Sequence, residues 1–381
     1  MTETVAAPPK AAGLEGVVVA DSEISYVDGQ AGRLAYRGYA IEELAERSSF
    51  EETTKLLLDG ELPGGRGLRE FHDELTAQRE LDGETLEAVR RFPPTADPMS
   101  ALRTGVSLLG LTDPERGDDG REATRRKGIR LIARIPTLVA AFDRARRGSE
   151  PLVPRGDLGH AANFLYMLRG SEPDPEDARV LDVCLVLHAE HGMNASTFAA
   201  RVTAATLSDI HSAITSAVGT LKGPLHGGAN EAVMKMLLEI DRRGVEPAAH
   251  IREMLTAGSK VMGFGHRVYK TMDPRAPILR EFSRKLGERT GDDRWYRMSE
   301  EILMTMQGEK GIDPNVDFFS ASTYHALGIP ADLFTPIFAI ARISGWVAHV
   351  EAQYANNRLI RPRARYVGKR DLRYVPVGER G

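Results

Sequence analysis

Two short stretches, Lys222-Gly-Pro-Leu-His226-Gly-Gly-Ala-Asn-Glu231 and Met262-Gly-Phe-Gly-His266-Arg-Val-Tyr-Lys-Thr-Met-Asp-Pro-Arg275, each set an imidazole among glycines. Histidine is the side chain that most readily exchanges a proton near neutral pH. Glycine lets a ligand or a neighbouring backbone come close. The second stretch adds three cations, Arg267, Lys270 and Arg275. Arginine grips a carboxylate with two parallel hydrogen bonds, whereas lysine acts as a point charge. A third stretch, Asn315-Val-Asp317-Phe318, places a carboxyl among apolar neighbours. Loss of water raises a carboxyl's proton affinity and makes it a better base for a carbon acid. The chemistry these types support is binding of an anionic substrate with proton transfer to and from it.

Each group also has a plainer reading. His226 lies just before an expected helix at 229–240. If that helix begins at Gly227 or Ala229, its amide dipoles face the ring and keep it neutral, fit to donate to a developing enolate oxygen. Otherwise His226 is a cap or a loop contact. The cations after His266 also read as a solvated loop, and Asp317 as a buried aspartate capping a helix. Gly263-Phe-Gly265 resembles a phosphate loop only superficially, since neither nucleotide fingerprint is complete. His188-Ala-Glu190-His191 puts two histidines on one helical face, where they could bind metal with a carboxylate. The zincin pattern is absent, and the His-x-Glu half of a zinc deaminase lacks its Pro-Cys-x-x-Cys partner. A simpler reading has one histidine donating to a substrate anion and the other packed inside. Arg342 is the one arginine in an apolar stretch at 334–354, where a charge must be paired or bind an anion. Arg361-Pro-Arg363-Ala-Arg365 is either a surface patch or a charge supplied to a neighbouring subunit.

The elements that must position these groups read as helical. Short β-leaning runs at 17–20, 24–27 and 34–36 suggest a small sheet or ribbon. Ser49 and Glu52 form a capping-box pattern for a helix that Gly60 ends. Asp97-Pro98 caps another, with Leu102, Val106 and Leu109 on one face. Residues 112–120 are a polar loop. Residues 121–147 form a long helix with a break expected near Pro136. Further helices are expected at 176–191, 208–221, 247–257, 276–288, 293–307 and 334–354, the last apolar on nearly every side. Hinges are expected at 223–228 and in a loop near 320. A dozen or more helices with almost no strand describe an all-α protein.

At 381 residues the chain exceeds one small core. Its 42% hydrophobic and 27% charged residues are ordinary for a globular protein, and a net charge of −4 argues against a basic nucleic-acid surface. Cys184 is the single cysteine, so neither an internal disulfide framework nor a cysteine zinc site can form, and a reducing cytoplasm fits. Residues 1–12 read as a loose Ala/Pro-rich tail without the apolar core of a signal peptide. No run of eighteen apolar residues suggests a membrane span.

The chain resembles the citrate synthase family over nearly its whole length, through Gly-Pro-Leu-His226-Gly-Gly-Ala-Asn, Gly-Phe-Gly-His266-Arg-Val-Tyr-Lys, Asp-Pro-Arg275, Asn-Val-Asp317-Phe and Arg361-Pro. The resemblance implies that acetyl-CoA and oxaloacetate condense to citryl-CoA, which is hydrolysed to citrate and CoA. A close relative, 2-methylcitrate synthase, uses propionyl-CoA. Carried over residue by residue, Asp317 removes the methyl proton, His226 stabilises the enol or enolate, and His266 polarises and protonates the oxaloacetate carbonyl. His191, Arg275 and Arg342 hold oxaloacetate, Arg361 reaches across a homodimer, and His188 is structural support. Lys260, Val261, Met262, Gly263 and Phe264 match the loop that wraps CoA, with Arg267 and Lys270 at its phosphates. The implied fold is an all-α, two-domain citrate synthase-like fold with a short N-terminal β element. Residues 1–226 begin a large domain, 227–322 form a small domain carrying CoA and catalytic residues, and 323–381 return to the large domain and a C-terminal dimer arm. No metal or other cofactor, no nucleic acid and no membrane are implied. The missing N-terminal regulatory domain of longer relatives favours a dimer over a hexamer.

Overall fold

The computed structural model describes residues 12–14 and 16–380. The tail read over 1–12 lies almost wholly outside the described residues. A three-stranded antiparallel sheet comes first: β1 (Ser25–Asp28), β2 (Arg33–Tyr36) and β3 (Tyr39–Ala40), with Ser25 opposite Tyr36 and Asp28 opposite Arg33. Leu34 and Tyr36 point inward from β2, as a period of two requires. Residues 17–20 form no strand. Val17, Val18 and Val19 are exposed and meet no partner edge, so their β-leaning composition has nothing to pair with.

Sixteen α-helices follow among the described residues. They are α1 (Ile41–Arg47), α2 (Phe50–Asp59), α3 (Gly65–Ala77), α4 (Gly83–Arg90), α5 (Pro98–Thr112), α6 (Arg121–Arg146), α7 (His160–Arg169) and α8 (Pro175–His188). Then come α9 (Ala195–Ala204), α10 (Ile210–Leu221), α11 (Ala229–Arg243), α12 (Pro247–Thr256), α13 (Ala276–Thr290), α14 (Arg294–Lys310), α15 (Val316–Ala326) and α16 (Phe334–Ala355). The chain is all-α apart from its small sheet. Local chemistry sets many ends. Ser49 Oγ accepts the Glu52 amide at 3.1 Å, and Gly60 stops α2 at φ 93°. Asp97 caps α5 through the Ser100 amide at 2.9 Å, with Pro98 in the first turn.

Three expectations fail, the first two for tertiary reasons. Helix α6 runs unbroken through Pro136. An interior proline costs about 3 kcal/mol, but nearly every side chain from Ile129 to Asp143 is buried, and that packing offsets one missing hydrogen bond. Helix α8 ends at His188 and not at 191. Its last carbonyls are taken by distant donors: Tyr36 Oη reaches Val186 O and Leu187 O, Arg342 Nε reaches His188 O at 2.7 Å, and the Gly345 amide reaches Ala189 O at 3.2 Å. The loop expected near 320 lies inside α15.

Helix α16 is the core of the fold. Its residues from Phe334 to Val350 are all buried, and it packs on α2, α6, α8, α9 and α10. The stretch 331–355 is long and apolar enough to cross a membrane, but the whole of its apolar window is buried inside the protein. Helices α11 to α15 pack chiefly on one another and meet the rest mainly through α16, the turn before it, and the ion pairs of Arg289 with the start of α8.

Candidate active site

His266 sits in a tight loop before α13. Its Nδ1 accepts the amides of Val268 at 3.0 Å and Tyr269 at 3.1 Å. Two donors on Nδ1 leave the ring proton on Nε2. Burial, then Arg275, pushes its pKa down to about 4, so the ring is neutral at pH 7. The loop is tied to the segment of Asp317. Gly265 N donates to Asp313 O at 3.0 Å, Asn315 N to Gly263 O at 2.9 Å, and Asn315 Nδ2 to Gly265 O at 2.9 Å. Gly263, at φ 82°, is required here, since a Cβ would stand 2.7 Å from Val233 Cγ2 and 2.9 Å from the Phe318 ring.

His226 is half-buried in the turn before α11, which begins at Ala229, and a second helix N-terminus reaches its ring. Nε2 accepts the Ser196 amide at 3.3 Å, the second amide of α9, and lies 2.8 Å from Ser196 Oγ. That helix N-terminus belongs to α9, packed from another part of the chain. A filled Nε2 places the proton on Nδ1. Burial, then Arg342, lowers the pKa to about 4. Trp346 Nε1 donates to Ser196 Oγ at 3.2 Å, which fixes the serine beneath the ring.

Asp317 is in the first turn of α15, which Asn315 caps through the Asp317 amide at 3.0 Å. Its own carboxyl is thus not the cap. Its Oδ1 is buried and has no hydrogen-bond partner among the described residues. Burial pushes its pKa up to about 7, with Arg275 opposing. Arg275 is 2% exposed, and Asp273 takes its Nε at 2.9 Å and Nη2 at 2.7 Å. Asp273 also receives the Val316 amide at 3.2 Å, so it ties the arginine to the start of α15. It is a site residue that sequence reasoning passed over, although it stands inside the Asp-Pro-Arg275 motif.

His191, in the loop after α8, packs 5.2 Å from the His266 ring, with its Nε2 3.0 Å from Tyr269 Oη. Burial, then Arg275, holds its pKa well below the usual histidine value. Tyr269 is a second residue passed over. Arg342 is 1% exposed, lies 4.7 Å over the Phe338 ring, and makes no ion pair among the described residues. Burial lowers its pKa to about 10. An arginine in that state is short of one anion. His188 Nδ1 donates to Cys184 O at 2.8 Å, and the ring packs 4.9 Å from Phe338. Because α8 stops at His188, the two histidines of this motif do not share a helical face. Glu190 turns away to Ser25 Oγ at 2.9 Å and His349 Nε2 at 3.0 Å. Among the described residues no group of three or more His, Cys, Asp or Glu side chains is placed to hold a metal.

The structure therefore sets His191 and Asp317 each within electrostatic reach of Arg275 and Arg342, His266 within reach of Arg275 and His191, and His226 within reach of Arg342. Lys260, Arg267 and Lys270 are exposed around the same loop, Met262 and Phe264 are half-buried, and Val261 is buried. Arg361 is not brought to the cluster. It is exposed in the extended segment after α16 and forms no ion pair among the described residues.

A family model described as citrate synthase, C-terminal domain, matches residues 13–363. The chain is 52% identical to the citrate synthase of Haloferax volcanii, covering 97% of this chain and 98% of that one. Citrate synthase 2 of Bacillus subtilis is likewise 52% identical, with coverage of 97% and 98%. Two 2-methylcitrate synthases of Corynebacterium glutamicum are 43% identical, over 97% of this chain and 97% and 98% of theirs. The solved ternary complex of citrate synthase from Thermoplasma acidophilum with carboxymethyl coenzyme A and oxaloacetate superposes with a TM-score of 0.91. It is 32% identical, and the match covers 98% of this chain and 100% of that one.

Proposed function

The chain belongs to the citrate synthase family, and on that premise we propose how its side chains divide the condensation of acetyl-CoA with oxaloacetate. Arg275, Arg342 and His191 bind the oxaloacetate dianion, and Arg361 of a second copy of the chain completes the ring of charge. His266 Nε2–H bonds the ketone oxygen. The Asp317 carboxylate removes a methyl proton from acetyl-CoA. The electron pair passes to the thioester oxygen, which His226 Nδ1–H stabilises as enol or enolate. That carbon attacks the ketone carbon, a C–C bond forms, and the ketone oxygen takes its proton from His266. Water then cleaves citryl-CoA to citrate and CoA. Hydrogen bonds and guanidinium groups carry the developing charge.

What supports this reading is the buried Asp317 oxygen, unpartnered among the described residues and within electrostatic reach of Arg275 and Arg342, together with two neutral imidazoles whose tautomers follow from their hydrogen bonds. One neutral ring offers Nδ1–H and the other Nε2–H, while Asp317 Oδ1 is left free. The scheme needs two donors and a base of that kind. Lys260, Val261, Met262, Gly263 and Phe264 wrap CoA, and Arg267 and Lys270 meet its phosphates. Residues 227–322 move as the small domain and close after oxaloacetate binds, which excludes water from the thioester. The extended segment after α16 is the dimer arm. A cytoplasmic location accords with a single buried thiol.

Propionyl-CoA is the second candidate acyl donor, and one methylene is worth only about 1–3 kcal/mol of discrimination. The higher identity to citrate synthases favours acetyl-CoA. Comparison of kcat/KM for the two thioesters with oxaloacetate, with the acid product identified by mass, tests this. We expect citrate and a preference for acetyl-CoA. A preference for propionyl-CoA would make the chain a 2-methylcitrate synthase, and no CoA release from either would overturn the reading.

A further inference from the structure

The turn between β1 and β2, residues 29–32, lies against the loop of His266, and the scheme above gives it no task. The Lys270 amide donates to Gly29 O at 2.8 Å. It is the third of three successive fixed amides, since those of Val268 and Tyr269 are held by His266 Nδ1. The loop thus has its inner edge on the imidazole and its outer edge on the turn. The inner bonds are the ones that place the ring proton on Nε2.

The approach is closer than a side chain permits. A Cβ on Gly29 would stand 2.2 Å from Val268 O and 2.8 Å from Val268 C. Gly32 is also close, with a Cβ position 2.8 Å from Thr271 Cγ2, but its φ of 64° already requires glycine. Gly29 is not in the left-handed region, so its own backbone accepts alanine. Only the His266 loop demands that it be glycine. The turn cannot easily retreat, because Asp28 Oδ1 holds the amides of Gln30 and Ala31, each at 2.9 Å. At the other end of β1, Ser25 Oγ bonds Glu190 Oε1 at 2.9 Å and the Gly192 amide at 3.1 Å, on either side of His191. The strand spans the supports of both histidines that face oxaloacetate.

We propose that Gly29 is a positioning residue for the condensation: it docks the 266–270 loop against the β1–β2 turn and so holds His266 Nε2–H where oxaloacetate meets it. This rests on the reading that His266 acts on the oxaloacetate ketone. Gly29→Ala leaves the turn intact and forbids the docked loop. A misplacement of about 1 Å at a reacting group costs up to roughly a hundredfold in rate.

The test compares the full chain with Gly29→Ala, Gln30→Ala and His266→Ala. We expect Gly29→Ala to melt like the parent without ligand, to lose about tenfold or more in kcat, to raise KM for oxaloacetate, and to gain less thermal stability from oxaloacetate. Gln30→Ala behaves as the parent. Parental kcat and KM in Gly29→Ala, or a kcat loss matched by a lower unliganded melting temperature, overturns the proposal. Hydrogen exchange in the unmodified chain gives a second measurement: the Lys270 amide gains protection with oxaloacetate, and its absence overturns the proposal even if the variant fails to fold. Parental turnover in His266→Ala would instead remove the premise, a failure distinct from that of the turn.

Discussion

A carboxyl that holds its proton up to about pH 7 burdens the fold unless the proton is used. Asp317 is protonated in both folded and unfolded chains below pH 3.8. Between 3.8 and about 7 the unfolded chain releases the proton while the folded one keeps it, so rising pH erodes stability across that window and no further above it. Asp317→Asn removes the titration. Its melting temperature relative to the parent should climb as pH rises through that window and then level off, while kcat/KM of the parent rises with pH toward a plateau. A pH-independent difference in melting would contradict the assignment. The residues proposed to react could be picked out in the sequence because motif spacing exposes their types. Their protonation could not. His226 is kept neutral by burial and then Arg342, and His266 takes its tautomer from amides two and three residues on, surroundings that exist only once the loops are folded.

Helix ends written by neighbouring residues were readable, as at Ser49, Gly60 and Asp97, because cap and helix are adjacent in the chain. Those written by distant residues were not, and the end of α8 is the consequential case. Its periodicity continues toward 191, but Tyr36, Arg342 and Gly345 take its last carbonyls and turn His191 out into the site. Gly345 is the tightest of these contacts, since a Cβ there would stand 2.3 Å from Glu190 Oε2 and 2.5 Å from Ala189 O. Gly345→Ala must push the 189–191 segment off α16. We expect a loss of about 1–3 kcal/mol in urea unfolding together with a raised KM for oxaloacetate. Loss of stability with an unchanged KM would show that His191 is not positioned by this contact.

Helix α16 forms the floor on which α8, α9 and α11 pack, while α13 and α15 bring the segments of Arg275 and Asp317 together. Helix count and fold class were legible from apolar periodicity; this convergence was not, since no local pattern encodes which helices touch. Arg361 is the clearest instance of information outside a single chain: it stands exposed, and its proposed task lies in another copy. The account depends most on Asp317 as the proposed base, acting with two neutral imidazoles. The direct measurement is the rate of CoA release, followed with a thiol reagent, in Asp317→Ala, His226→Ala and His266→Ala, with the fold checked by circular dichroism. We predict folded proteins whose kcat falls by about 10²–10⁴-fold in each, whereas a near-parental rate in any one of them would contradict the role given to that residue.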